Sequence, residues 1–120
     1  MAKVEISKQK TGKWGEEEAC RYLESKQYKI LKKNYRFEKA EVDIIGLNGN
    51  TLVFFEVKVR KNARFGLPET FASQNQRSRI KQAADYYQFE NNFQGFIRFD
   101  IISILGYKGK FEILHLVDAF

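Results

Sequence analysis

Two carboxylates and a lysine are spaced in this sequence as a hydrolytic metal site would need them. Asp43 is followed thirteen residues later by the triplet Glu56-Val57-Lys58. Carboxylate oxygens are the ligands that Mg²⁺ accepts, and a lysine beside the ion can orient or deprotonate an attacking water. Because the ion also neutralises charge on a phosphate, such a set is suited to the hydrolysis of phosphodiester bonds.

A β-hairpin is predicted to carry these side chains. Runs rich in Val, Ile, Leu and Phe flank Asn48-Gly49-Asn50, and an Asn-Gly pair between such runs is a strong hairpin signal because both residues tolerate positive φ. We therefore expect antiparallel strands at 41–47 and 51–59. Side chains alternate between the two faces of a strand. The charged faces are predicted to consist of Glu41, Asp43, Ile45 and Leu47 on the first strand, and of Leu52, Phe54, Glu56, Lys58 and Arg60 on the second.

The turn decides how the two carboxylates oppose each other. If the turn is Gly49-Asn50, Asp43 lies directly opposite Glu56; if it is Asn48-Gly49, the two are diagonal neighbours on one face. Facing carboxylates repel each other, and burying one unpaired costs several kcal/mol. A divalent cation between them removes this cost.

The alternative is a solvated face on which the acids and the lysine form a cross-strand ladder. The neighbouring side chains argue against it, because a strand that is covered on both faces is not solvated. These neighbours are Phe54, Phe55, Val57 and Val59.

From Gly12 to Phe120 the chain resembles the YraN-like family of small bacterial proteins. Asp43 with Glu56-Val57-Lys58 resembles the signature of the PD-(D/E)XK nuclease superfamily, in which these groups lie on adjacent strands. Two positions depart from the family pattern: Ala40 stands where Gly is usual, and Gln76 stands where Lys is usual, which removes a cation. The matching pieces are Gly12-x-x-Gly15-Glu16-x-x-Ala19-x-x-Tyr22-Leu23, Glu41-Val42-Asp43, Phe55-Glu56-Val57-Lys58-x-Arg60, Phe65-Gly66, Arg98-Phe99-Asp100 and Ala119-Phe120.

The resemblance implies a restriction-endonuclease-like core and a metal-dependent nuclease, similar to small Holliday junction resolvases. Asp43 and Glu56 would then hold Mg²⁺ or Mn²⁺, the backbone carbonyl of Val57 could also coordinate it, and Lys58 would position the water. Glu41 would either add a ligand or pair with Lys58.

A further acid, Glu16, falls in a predicted helix from about Gly12 to Lys26. It shares the inward stripe of that helix, where an acid is unusual. A carboxylate near a helix start is also favoured by the helix dipole, which is the alternative reading. The resemblance makes Glu16 the third acid of the metal site. The stripe consists of Glu16, Ala19, Cys20 and Leu23.

The remaining elements follow from periodicity. A strand is expected at 28–37, bulged or near an edge because Lys32-Lys33-Asn34 interrupts it. A basic loop at 60–68 precedes a helix from 69 or 70 to about 91, and strands follow at 95–105 and 111–117. A helix between two strands is the natural crossover for a parallel pair. The order α-β-β-β-α-β-β predicts an α/β fold in which helices pack on both faces of one mixed five-stranded sheet.

Cations near the predicted site are candidates for contacts with nucleic acid. The loop could instead be a solvated connector. The second helix also contains Gln82-x-x-x-Tyr86, similar to a motif of RecB-type members of the superfamily. The candidates are Arg60, Lys61 and Arg64 in the loop and Arg77 and Arg79 in the helix.

Composition bounds the class of protein. The 120 residues suit one domain, predicted at 12–120 after a basic, frayed arm at 1–11. No run is apolar enough for a membrane span or a secretory signal. The net charge of +6 favours a polyanionic partner. A single cysteine excludes an internal disulfide and fits a reducing cytoplasm.

The predicted function is a Mg²⁺-dependent DNA nuclease of the cytoplasm that acts on branched or other non-B DNA. A nucleic-acid-binding module with the same fold that does not cut is the alternative, and a structural domain with an acidic ladder is a third hypothesis. One site per chain makes a homodimer the simplest way to cut both strands of a duplex.

Overall fold

The computed structural model describes residues 2–61 and 73–120, with side chains from Gly12 onward. The predicted order of elements is confirmed. The elements are α1 (Ala2–Ser25), β1 (Lys29–Phe37), β2 (Ala40–Asn48), β3 (Thr51–Arg60), α2 (Gln74–Asn91), β4 (Phe96–Tyr107) and β5 (Lys110–Leu116).

One mixed five-stranded sheet organises the fold, with the strands in the order β1-β2-β3-β4-β5. The pairs β1–β2, β2–β3 and β4–β5 are antiparallel, whereas β3 and β4 are parallel. Because parallel neighbours need a crossover, α2 is placed between β3 and β4 along the chain, as predicted. The predicted α/β class and mixed sheet are confirmed.

The helices pack on opposite faces of the sheet, each over its own apolar cluster. The α1 cluster includes Cys20, which is buried as predicted. A Cβ at Gly15 would collide with the Val59 side chain, so glycine lets α1 approach β3 closely. The α2 cluster contains the predicted helix stripe of Ile80, Ala83 and Ala84, with Tyr87 packed against it. The α1 cluster also contains Ala19, Leu23, Ile44, Val53, Phe55, Ile102 and Ile104.

Strand β1 lies at one end of the sheet order and is irregular, as predicted. The register with β2 shifts between Ile30 and Lys32, which inserts an extra residue into β1. Asn34 has a positive φ of 53°. This conformation is tolerated by asparagine better than by most residues, because its short polar side chain can bond locally.

The helix ends differ from the expected boundaries. Helix α1 begins at Ala2, earlier than the predicted Gly12. Ends of helices fray, so the arm at 1–11 and the domain at 12–120 stay predictions. Helix α2 begins at Gln74, because the Ser73 hydroxyl accepts a hydrogen bond of 3.1 Å from the Gln76 N–H and caps the helix. The expected start at 69 or 70 lies outside the described residues.

Membrane insertion finds no support in the described part of the chain. Neither α1 nor α2 offers an apolar stretch long enough to cross a bilayer.

Candidate functional site

The hairpin turn places Asp43 and Glu56 side by side. Asn48 pairs with Thr51, so the turn is Gly49-Asn50, the first of the two predicted alternatives. The ladder between β2 and β3 ends at the pair Ile44–Phe55. One step further, the Val57 N–H donates to Asp43 Oδ2 at 2.7 Å, so a carboxylate replaces the backbone carbonyl that a regular ladder would supply.

The faces of β2 are not those that strict alternation predicts. Ala40, Val42 and Ile45 all belong to the α2 cluster, whereas Ile44 lies in the α1 cluster. The expectation that Glu41 shares one face with Ile45 is therefore wrong. The physical reason is the end of the ladder at Ile44, beyond which β2 is released from the regular pleat of its partner.

Asp43 is an acid in an unfavourable place. Burial, reinforced by the charge of Glu56, raises the pKa of Asp43 to about 7. The hydrogen bond from the Val57 N–H opposes this rise, and the charges of Glu16 and Glu41 add to it. The carboxylate is thus destabilised as an anion and would gain from a nearby cation.

Glu56 is buried, with 6% of its surface exposed, and is held by two donors. Lys58 Nζ lies 3.0 Å from Glu56 Oε1, and Gln76 Nε2 donates to the same oxygen at 3.1 Å. Lys58 therefore pairs with Glu56. The two donors fix the plane of the carboxylate through Oε1, while its second oxygen takes no part in these bonds.

Glu41 has a different partner from the predicted one. Its Oε2 lies 2.8 Å from Arg36 Nη2 on the neighbouring strand β1. The predicted pairing of Glu41 with Lys58 is wrong, because β1 supplies a closer cation.

Glu16 borders a groove between α1 and β1, on the side of the site opposite to α2. Burial raises the pKa of Glu16, a hydrogen bond from the Asn34 side chain lowers it, and the charge of Glu41 raises it further. The electrostatic effect of Glu16 on Asp43 confirms that the two acids are neighbours. The groove is lined by Gly12, Lys13, Glu16, Glu17, Lys33 and Asn34.

As possible metal ligands, these acids form a pair rather than a cage. Across residues 12–61 and 73–120, no three His, Cys, Asp or Glu side chains converge as they would around a bound ion. Two carboxylates are nevertheless a normal protein contribution to Mg²⁺, which keeps several waters and also binds substrate phosphates. Asp43 and Glu56 each offer one oxygen outside the bonds that hold them. The donor set therefore fits this ion.

The cations predicted to bind nucleic acid have different surroundings. Lys61 and Arg79 are exposed, whereas Arg60 is half-buried at the end of β3. The guanidinium of Arg77 lies 5.7 Å from the centre of the Phe120 ring, so this side chain packs against the protein. Arg64 lies outside the described residues.

Gln76 is the site residue that sequence reasoning missed. It was singled out only because the family usually has Lys there, and loss of the cation put its role in doubt. The structure places its amide on Glu56. Gln82 of the RecB-like motif is exposed, and Tyr86 of that motif stacks on Phe37 with ring centres 4.5 Å apart.

A second polar cluster lies on the α1 face, away from the acids. Asp100 is fully buried and accepts hydrogen bonds from Arg98 at 2.9 and 2.8 Å. His115 Nε2 lies 2.7 Å from Asp100 Oδ2, and the Asp118 N–H donates to Oδ1 at 2.9 Å. Burial alone would raise the pKa of Asp100, but the bonds from His115 and Arg98 outweigh it and lower the pKa. The cluster ties the end of the chain to β4.

The family model for UPF0102, described as an uncharacterised protein family, matches residues 15–104. This match covers most of the chain. The chain belongs to the UPF0102 family. The UPF0102 match agrees with the resemblance to YraN-like proteins.

Relatives in the UPF0102 family match over nearly their whole length. A UPF0102 protein of Christiangramia forsetii is 46% identical over 109 residues, which cover 91% of this chain and 92% of the relative. One of Cytophaga hutchinsonii is 45% identical, covering 88% and 90%. One of Clostridioides difficile is 40% identical, covering 96% and 100%.

Proposed function

We propose that this protein is a Mg²⁺-dependent nuclease that hydrolyses phosphodiester bonds in DNA, including branched or other non-B structures. The proposal rests on one observation above all: two adjacent acids are each held through one oxygen, and a lysine lies on one of them. A purely structural ion pair would need only one acid for Lys58. The second acid, Asp43, is destabilised as an anion and is explained by a cation.

Each side chain has a distinct task in this mechanism. Asp43 and Glu56 would hold Mg²⁺, and the backbone carbonyl of Val57 could add a further oxygen. When bound, the ion supplies Lewis acidity and neutralises charge on the phosphate. Gln76 keeps Glu56 oriented. Lys58, only 23% exposed in its side chain, is placed to orient the attacking water or accept its proton.

Glu16 has a supporting part in this proposal. It neighbours Asp43 from the α1 side, and Asn34 fixes its carboxylate. Glu16 would bind the ion through a water or join its ligands when a phosphate arrives. Its pKa is raised by burial, so a nearby cation would also favour its charged form.

The test uses a panel of linear, flapped and four-way DNA substrates incubated with Mg²⁺ or Mn²⁺. We expect cleavage of at least one substrate, loss of cleavage with EDTA, and loss of cleavage in Asp43→Asn and Glu56→Gln. An exposed aspartate of α2 gives the matched control, because Asp85→Asn should cut as the parent does. Cleavage that survives both acid substitutions would refute this site.

A nucleic-acid-binding module that does not cut is the second candidate. It is favoured by the fact that only two acids, not three, converge in the part of the site described. This candidate predicts salt-dependent DNA binding with no cleavage of any substrate and no change in affinity on adding EDTA.

A further inference from the structure

The outer edge of β1 carries a row of cations that the proposed site does not use. Lys29, Lys32, Lys33 and Arg36 are all exposed. The strand contains no acidic residue. It occupies one end of the sheet order, so its outer side has no neighbouring strand within the described sheet. We refer to these four residues as the β1 basic edge.

Lysines on an edge strand have an ordinary explanation, because they discourage pairing with another chain. The opposite end of this sheet provides a comparison. Strand β5 also has only one strand neighbour there, yet its charges are mixed, with Lys110 and Glu112 both exposed. Protection against edge pairing therefore does not require a row of one sign, and the β1 basic edge calls for a further reason.

The backbone of β1 also disfavours addition of another strand. The register shift between Ile30 and Lys32 and the positive φ of Asn34, 53°, interrupt the regular spacing of its outward N–H and C=O groups. A partner that reads side-chain charge rather than backbone hydrogen bonds suits such an edge. Polyanions are partners of this kind.

The basic edge leads to the acids of the site. Lys33 lines the groove that Glu16 borders, and its charge lowers the pKa of Glu16. Arg36 pairs with Glu41, yet 76% of its side chain remains exposed. At a rise of about 3.3 Å per residue, the strand from Lys29 to Arg36 extends about 23 Å. A strand of B-DNA places a phosphate about every 3.4 Å along the helix axis, so several phosphates fit along this length.

We propose that the β1 basic edge binds the phosphodiester backbone of a nucleic acid and guides it toward Asp43 and Glu56. This inference rests on the proposed function for its direction, since the backbone is taken to continue into the site. Lys32 and Lys33 carry most of the binding. Arg36 contributes less, because Glu41 already compensates part of its charge.

The test compares two double variants that change net charge equally. Lys32→Gln with Lys33→Gln removes two cations of the β1 basic edge, and Lys108→Gln with Lys110→Gln removes two exposed cations near β5. Binding to a fluorescent DNA duplex is measured by anisotropy between about 50 and 200 mM salt, in EDTA and again in Ca²⁺. Circular dichroism and thermal melting check that both variants fold as the parent does.

For the edge variant we expect the slope of log K against log salt to fall by about 1.8, because each phosphate contact contributes about 0.9. The β5 variant should keep the parental slope. Equal slopes for the parent and the edge variant, or equal losses in both variants, would overturn the inference.

The same measurements separate this inference from the proposed function. A parent that cuts DNA while the edge variant keeps its salt slope refutes the β1 basic edge alone. A parent that neither binds nor cuts DNA refutes both. Loss of binding to vesicles of anionic phospholipid, with DNA binding unchanged in the edge variant, would assign the edge to a membrane surface and overturn the proposal.

Discussion

Replacing Asp43 with asparagine should stabilise the metal-free protein, and the gain should grow with pH. An aspartate in the unfolded chain titrates near the ordinary value of 3.8, whereas the folded protein raises the pKa of Asp43 to about 7. Between these values the folded state binds more protons than the unfolded state, so stability falls as pH rises. The stability that protonated Asp43 allows is fully present below about pH 4 and is lost as pH passes 7.

The size of the effect follows from this pKa difference. At about 1.4 kcal/mol per pKa unit, a rise from 3.8 to about 7 corresponds to roughly 4 kcal/mol as an upper bound. Asp43 is only half-buried, and an asparagine amide oxygen can still accept the Val57 N–H more weakly. We therefore expect Asp43→Asn to add about 1–3 kcal/mol to the free energy of unfolding near pH 8.5 and close to nothing near pH 5.

The assay is urea denaturation in EDTA at a series of pH values, for the parent, Asp43→Asn and the exposed control Asp85→Asn. The difference between Asp43→Asn and the parent isolates this one carboxylate from all other titrating groups. The control should differ from the parent by less than about 0.5 kcal/mol. A variant that is less stable than the parent at every pH, or a difference that does not grow with pH, would refute the reasoning and favour a structural ion pair.

Four further outcomes follow from the same geometry. Lys58→Met should leave Mn²⁺ affinity nearly intact, because an ammonium is no ligand, but slow single-turnover cleavage by about 10² to 10⁴; full activity would exclude a catalytic role. Gln76→Leu should weaken Mn²⁺ binding by about 10- to 100-fold, measured by calorimetry, because Glu56 loses a donor that orients it, while exposed Gln82→Leu should not. Asp100→Asn should cost about 3–5 kcal/mol in urea denaturation, since Arg98 keeps a part-buried charge without its carboxylate; a cost below about 1 kcal/mol would show that the cluster is dispensable. A triple alanine variant of the loop should flatten the salt dependence of DNA binding by about 0.9 per phosphate contact, and an unchanged slope would show that the loop does not touch the backbone. Its positions are Arg60, Lys61 and Arg64.

Local patterns predicted much of the fold for physical reasons. The Asn-Gly pair determined the hairpin turn, because few residues accept positive φ, and Gly49 has a φ of 59°. The irregularity of β1 was visible in Lys32-Lys33-Asn34, which interrupts an apolar strand. The spacing of Ile80, Ala83 and Ala84 predicted the buried stripe of α2, because a helix repeats its faces every three to four residues.

The boundaries of elements were less predictable than their existence. A hydrophobic pattern does not show where the ladder between β2 and β3 ends, because that point depends on competition for the Val57 N–H. Asp43 won that competition, and the alternation of β2 was broken there. The error about the face of Glu41 came from this one event, since a single change of register moves every following side chain to the other face.

By itself, the sequence determined the order of elements, the hairpin and the proximity of Asp43 to Glu56, because each depends on residues close together in the chain. Only the tertiary structure decided which partner each charge takes. Gln76 reaches Glu56 from a helix that packs on the sheet, and Arg36 reaches Glu41 from the edge strand. Such contacts depend on the docking of one element against another, and several cations of similar type compete for each acid. Distance after packing selects among them, and no local pattern in the chain encodes that distance.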